Sequence, residues 1–149
     1  MRRTDQRRAA VFSGYQREVT GTPIEELVER GPFPDGRNGS DEPPVPGGPL
    51  TEFASDLLLG VERHREELDR LISDQAVDWS IERIAPLERS LLRTALYEIL
   101  YRPDVPDEVA IDEAVETAKV YCGSDAPAFV NGILGGVVRR LERAPGGTA

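Results

Sequence analysis

The most informative segment of the chain is IAPLERSLLRTALYEILYR, residues 84–102. Pro86 suits the first turn of a helix, where its missing N–H group removes no hydrogen bond, and Pro103 disfavours helix beyond the segment. Between the two prolines, apolar residues recur about every fourth position and form a broad stripe: Leu87, Leu91, Leu92, Ala95, Leu96, Ile99 and Leu100. Because so wide a stripe needs neighbours on more than one side, the segment is predicted to be the central helix of an all-helical core.

The rest of the chain also shows apolar residues at helical spacing. The pattern predicts helices over residues 5–18, 23–30, 50–74 and 106–122, a short helix ending at Ile84, and a last helix from Ser124. Trp79 is predicted to anchor the core before the central helix. Since no segment alternates as a strand does, the fold class is predicted to be all-α, a compact bundle of about six or seven helices.

One domain is predicted to span residues 1–144, because a chain of 149 residues can bury a single core. Residues 31–49 hold half of the 12 prolines and show no periodicity, so we expect a mobile loop there. Residues 145–149 are expected to fray. Gly14 lies inside the first helix, where alanine would favour helix more strongly.

Charge is distributed unevenly along the chain. The net charge is −9, yet residues 1–18 carry five arginines against two acids, so that the start is basic and the remainder acidic. This balance argues against a general nucleic-acid coat, and the basic start predicts a local electrostatic contact. Arginine at a helix N-terminus opposes the helix dipole, so these side chains are not placed there for helix stability. They either bind phosphate or form a disordered, solubilising start.

The other reactive side chains predict no catalytic site, metal site or cofactor. Cys122 is the single cysteine, which excludes an intrachain disulfide, and it is interpreted as a small, half-buried hydrophobe. His64 stands in a charged run and is predicted to lie on the surface. Asp112, Glu113 and Glu116 are interpreted as a solvated helix face. No apolar run reaches the length of a membrane span or forms a secretory signal, so a cytoplasmic protein is predicted.

Phe129 and Asp125, at the start of the last helix, allow two interpretations. An aromatic ring at this place could stack on an unpaired base, as in complexes with single-stranded RNA. Alternatively Phe129 is part of the core, which the apolar pattern by itself favours. The residues thus indicate an all-α domain with a candidate RNA-binding surface and leave the role of Phe129 open.

Five motifs follow one another between residues 79 and 134: WSIERI (79–84), ERSLLRTALYE (88–98), DVP (104–106), VAIDEAVETAK (109–119) and FVNGIL (129–134). In this order and spacing they resemble the NusB family of bacterial transcription antitermination factors. The resemblance implies an all-helical bundle without enzymatic activity. It also implies binding of boxA RNA, from the leaders of ribosomal RNA operons, together with a small-subunit ribosomal protein that acts as NusE. That pair helps the RNA polymerase antitermination complex to read through terminators.

The family pattern also assigns expected contact residues. Those expected to face RNA are Arg2, Arg3, Arg7, Arg8, Asp125 and Phe129. Tyr15 and Glu88 match positions that face the ribosomal protein, and Arg7 and Arg8 are expected at an exposed helix start. An alternative is a NusB-like helical module that has lost boxA binding and only docks protein partners. The oligomeric state is left open, a homodimer included.

Overall fold

The computed structural model describes residues 2–32, 45, 47–78 and 80–143. This part of the chain forms seven α-helices and one short 3-10 helix: α1 (Arg3–Thr20), α2 (Ile24–Arg30), α3 (Glu52–Arg63), α4 (Arg65–Gln75), the 3-10 helix (Ile81–Arg83), α5 (Pro86–Tyr101), α6 (Asp107–Tyr121) and α7 (Ala126–Arg143). No strand occurs within the described ranges, so the prediction of an all-α bundle is confirmed. Trp79, residues 145–149 and most of the loop expected at 31–49 lie outside the described residues.

Helix α5 is the centre of the bundle, as its sequence predicts. It packs against α1, α3, α4, α6 and α7. Its residues from Ser90 to Glu98 are all buried, and Leu92 and Leu96 have no exposed surface. Pro86 stands at the start of the helix, and Arg102, directly before Pro103, ends it. The broad apolar stripe is therefore explained by neighbours on several sides.

The single helix predicted over residues 50–74 is wrong, because the chain bends at His64 between α3 and α4. The His64 backbone leaves helical geometry, at φ −109° and ψ 17°, although its N–H still donates to Gly60 and its carbonyl still accepts from Leu68. The bend lets the two halves pack differently: α3 contacts α1 and α5, whereas α4 contacts α5 and α7. Apolar spacing continues across the bend, so local periodicity could not reveal it.

Two glycines allow other helices to pack closely against α5. A Cβ atom at Gly14 of α1 would lie 2.6 Å from the Ser90 hydroxyl oxygen, which donates a 2.6 Å hydrogen bond to the Val11 carbonyl. A Cβ atom at Gly60 of α3 would overlap the ring of Tyr97. The glycine that disfavours α1 as an isolated helix is thus required where α1 crosses α5.

Candidate RNA- and protein-binding surface

An open depression of about 320 Å³ lies where the starts of α5 and α7 meet. We call it the α5–α7 depression; its lining residues are Arg83, Ile84, Ala85, Glu88, Asp125, Ala126 and Phe129. Three residues singled out in the sequence come together here, although Glu88 is 37 residues before Asp125 in the chain. The family pattern predicts that Glu88 faces a protein partner and that Asp125 and Phe129 face RNA. The structure places all three on one continuous surface.

Phe129 lies in the first turn of α7 and has two environments. Its ring is half-buried and packs against the main core, and its remaining surface lines the depression. The next residue, Val130, is completely buried. The two interpretations of Phe129, core residue and exposed contact residue, are therefore compatible. Asp125, just before α7, is exposed.

The Glu88 carboxylate has no partner among the described residues. It lies in the first turn of α5 and is half-buried, and burial raises the pKa of its carboxyl group. No hydrogen bond or ion pair joins it to another residue in the described part of the chain. A half-buried carboxylate without a partner is costly, and an incoming cation would remove that cost. The depression therefore carries an available acceptor for a basic group.

Cys122 lies near this carboxylate. Burial, together with the charge of Glu88, raises the pKa of its thiol to about 11, and the side chain is half-buried. A thiol with so high a pKa is protonated at neutral pH and is a poor nucleophile. The interpretation of Cys122 as a small, half-buried hydrophobe is confirmed.

An aromatic cluster links α1 to the neighbourhood of the depression. The guanidinium carbon of Arg8 lies 5.4 Å from the ring centre of Tyr121, and Tyr121 packs edge-to-face on Phe12 at 5.1 Å. Phe12 in turn packs edge-to-face on Tyr15 at 6.4 Å. Leu87, directly before Glu88, belongs to the same cluster. Arg8 and Tyr15 are therefore joined through the rings of Tyr121 and Phe12, and the same apolar cluster includes Leu87, the neighbour of Glu88 in the chain.

No pattern in the sequence singles out Tyr121. It stands at the end of α6, where an aromatic residue before Cys122 and Gly123 has an ordinary helical position. Its contacts with Arg8 and Phe12 involve residues more than a hundred positions earlier in the chain. No local pattern indicates such a contact.

The expectation that Arg7 lies at an exposed helix start is wrong. Arg7 is only 7% exposed, and its Nε donates to both carboxylate oxygens of Glu98, at 2.9 and 3.0 Å. Its Nη1 also lies 3.8 Å from Glu113, which accepts a 2.9 Å hydrogen bond from the Thr4 hydroxyl. The rotation of α1 about its axis turns Arg7 inward, where it balances a buried acid. Glu113 is accordingly not part of a solvated face, whereas Asp112 and Glu116 are exposed.

Arg3 and Arg2 have different surroundings from Arg7. Arg3 pairs with Asp104 at 3.2 Å, and its guanidinium carbon stands 4.2 Å from the ring centre of Phe53. Arg2 is largely exposed, and its Nε lies 3.6 Å from Asp5. Of the four arginines at the start of the chain, Arg2 and Arg8 thus interact least with acidic side chains of the protein itself.

His64 is half-buried and stacks on Tyr101 with ring centres 4.1 Å apart, so it is not a free surface side chain. Within the described ranges no cluster of acidic, histidine and cysteine residues could hold a metal ion. No helix there is long and apolar enough to cross a membrane.

Fold and surface together define an all-helical protein whose central helix and last helix share one surface with acidic and aromatic residues. The chain belongs to the NusB family, whose family model matches residues 4–139. The transcription antitermination protein NusB of Rubrobacter xylanophilus is 40% identical over 141 residues, which cover 95% of this chain and 93% of that protein. The NusB protein of Symbiobacterium thermophilum is 52% identical over 95 residues, 64% of this chain and 62% of the relative.

Solved structures have the same fold. T. maritima NusB superposes with a TM-score of 0.75 at 30% identity, over 98% of this chain and 95% of that one. A crystal structure of the antitermination factors NusB and NusE in complex with dsRNA superposes with a TM-score of 0.72 at 25% identity, over 93% of this chain and 96% of that one.

Proposed function

We propose that this protein is a transcription antitermination factor that binds boxA RNA together with the small-subunit ribosomal protein acting as NusE. The pair promotes read-through by RNA polymerase in ribosomal RNA operons. Family membership and the related structure of NusB with NusE and dsRNA support this function. The proposal assigns the chain no catalytic role and places it in the cytoplasm, where transcription takes place.

The observation that carries the protein-binding part is the unpaired Glu88 carboxylate in the α5–α7 depression. Ribosomal proteins are generally basic, and a lysine or arginine of such a partner would satisfy this acceptor. Tyr15, half-buried on α1, is proposed to extend the same contact. Phe129 contributes apolar area beside the charge.

The RNA-binding part is assigned to Arg2, Arg8, Phe129 and Asp125. Guanidinium groups bind phosphate, and a partly exposed aromatic ring can stack on an unpaired base. Asp125 repels phosphate, but a carboxylate can accept hydrogen bonds from base amino groups. Asp125 is therefore proposed to contribute to sequence preference rather than to overall affinity.

A second function is favoured by the internal pairing of Arg3 and Arg7. Asp104 and Glu98 neutralise these two arginines, which reduces the positive charge available to RNA. In this alternative the chain is a NusB-like helical module that has lost boxA binding and docks only the ribosomal protein.

A titration of fluorescently labelled boxA RNA, with and without the ribosomal protein, separates the two functions. The antitermination role predicts tighter binding to boxA than to a scrambled RNA, strengthened by the ribosomal protein. Arg8→Gln should then weaken boxA binding about threefold and reduce its salt dependence, while the matched variant Arg3→Gln should have a smaller effect because Asp104 already neutralises Arg3. Binding of the ribosomal protein without preference for boxA would favour the docking module instead.

A further inference from the structure

We propose that Arg89 is a positioning residue for the α5–α7 depression, and that Glu18 of α1 holds it in place. Arg89 does not line the depression. It fixes the segment of residues 81–85, whose last three residues form one wall of the depression, so that this wall has its binding shape before the ribosomal protein binds. This inference rests on the proposed function of the depression.

The guanidinium group of Arg89 forms hydrogen bonds with the main chain of this segment. Its Nη1 donates to three carbonyl oxygens, at 3.2 Å to Ile81, 3.2 Å to Glu82 and 2.9 Å to Ile84. Two N–H groups are thus shared among three acceptors. Hydrogen bonds from a charged donor are stronger than neutral ones, so the segment is held more firmly than its single 3-10 turn alone would hold it.

Part of the same segment lines the depression. Arg83, Ile84 and Ala85 line it next to Glu88. Ile84 is buried and packs into the main core. The backbone around it therefore has little freedom to move as long as Arg89 donates to the carbonyl groups of the segment. Movement of this wall would change the shape of the surface around Glu88 without changing Glu88 itself.

Glu18 orients Arg89 from the end of α1. One of its carboxylate oxygens accepts from Nη2 of Arg89, and the other accepts from Nη1 of Arg93 at 3.0 Å. Arg93 also holds Asp69 of α4 through two hydrogen bonds, of 2.6 and 3.1 Å. Burial alone would raise the pKa of Glu18, but the hydrogen bonds and charges of Arg89 and Arg93 together lower it, so the carboxylate is ionised at neutral pH.

The two tasks of Arg89 require a guanidinium group. Nη2 points to the carboxylate while Nη1 points to the carbonyl groups, and a planar fork can hold both directions at once. A lysine has the same charge but a single nitrogen at the end of a flexible chain. Arg89→Lys therefore keeps the positive charge but cannot donate to the carboxylate and to the three carbonyl groups at the same time.

The test compares Arg89→Lys with Arg65→Lys. Arg65 lies 3.9 Å from the same oxygen of Glu18 but makes no hydrogen bond to the described residues of the 81–85 segment, which makes it a matched control. We expect Arg89→Lys to weaken binding of the ribosomal protein at least fivefold in isothermal titration. Hydrogen exchange of the amides at residues 81–85 should accelerate, with exchange in α6 and α7 unchanged. Arg65→Lys should change neither quantity.

Glu18→Gln provides a second variant that does not touch the segment directly, and it decides the matter if Arg89→Lys fails to fold. It should weaken binding and accelerate exchange at residues 81–85 in the same direction, by a smaller factor. Unchanged affinity in both folded variants would overturn the role of Arg89, whether or not exchange accelerates. If the parent protein itself does not bind the ribosomal protein, the proposed function fails instead, and the exchange data still show whether Arg89 holds the segment.

Discussion

Helix α5 carries one glutamate near each end, Glu88 in its first turn and Glu98 in its last turns, and their surroundings differ. Burial raises the pKa of both carboxyl groups. Glu98 is only 2% exposed and accepts two hydrogen bonds from Arg7, so its charge is balanced within the fold. Glu88 is half-buried and has no such partner among the described residues. A buried acid that is paired stabilises the packing of α1 on α5, whereas an unpaired acid at the surface is available to another molecule.

The largest effect is expected from breaking the internal pair. Arg7→Gln leaves Glu98 buried without a cation, which should lower the free energy of unfolding by about 3 kcal/mol. Denaturation in urea at neutral pH measures the loss. Arg8→Gln is the matched control, since Arg8 is not buried and pairs with no acid within the described ranges, its contacts being a long 3.4 Å hydrogen bond to Thr117 and the ring of Tyr121. It should change stability by less than about 0.5 kcal/mol. Equal stability of the two variants would contradict the assignment of Arg7 to the interior.

Glu88→Gln tests whether the unpaired carboxylate of α5 contacts the ribosomal protein. It should weaken binding of the ribosomal protein at least about tenfold, equivalent to 1.4 kcal/mol, because a cationic group of the partner would lose its counter-charge. Binding of boxA RNA without the ribosomal protein should change little. Isothermal titration measures both affinities.

Glu108→Gln is the control for this measurement, since Glu108 also lies in the first turn of a helix but is exposed and away from the depression. An unchanged dissociation constant for Glu88→Gln would remove Glu88 from the interface, and the carboxylate would then serve only its own helix.

The smallest expected effect concerns the pH dependence of stability. Because the pKa of Glu88 is raised in the folded chain, its protonated form adds to the free energy of unfolding. This contribution is fully present below the ordinary glutamate pKa and is lost as the pH rises through the raised value. Glu88→Gln should therefore match the parent at acidic pH and become slightly more stable above the raised pKa, by up to about 0.5 kcal/mol. Thermal unfolding of both proteins across this pH range checks the sign. Affinity for the ribosomal protein should change in the opposite direction, rising as Glu88 ionises.

The bend at His64 and the burial of Arg7 illustrate the same limit of sequence interpretation. Apolar spacing continues through His64, and the arginines at positions 7 and 8 are chemically identical neighbours. Which of them points inward depends on the rotation of α1 against α5, and Glu98, the residue that fixes this rotation, is 91 positions away. Gly14 shows the converse: it disfavours a helix locally but allows the close crossing of α1 and α5.

Helical spacing depends on residues three and four positions apart, so the chain by itself established the all-α class, the central place of α5 and the approximate extent of most helices. The motifs in residues 79–134 further indicated the NusB family, which the match over residues 4–139 confirms. Three features became visible only in the folded chain. Glu88, Asp125 and Phe129 line one depression, Arg7 points into the interior, and Arg89 donates hydrogen bonds to the backbone of residues 81–84. Each of them depends on how two helices, or a helix and a turn, lie against one another, and that arrangement results from packing of the whole core rather than from neighbours in sequence.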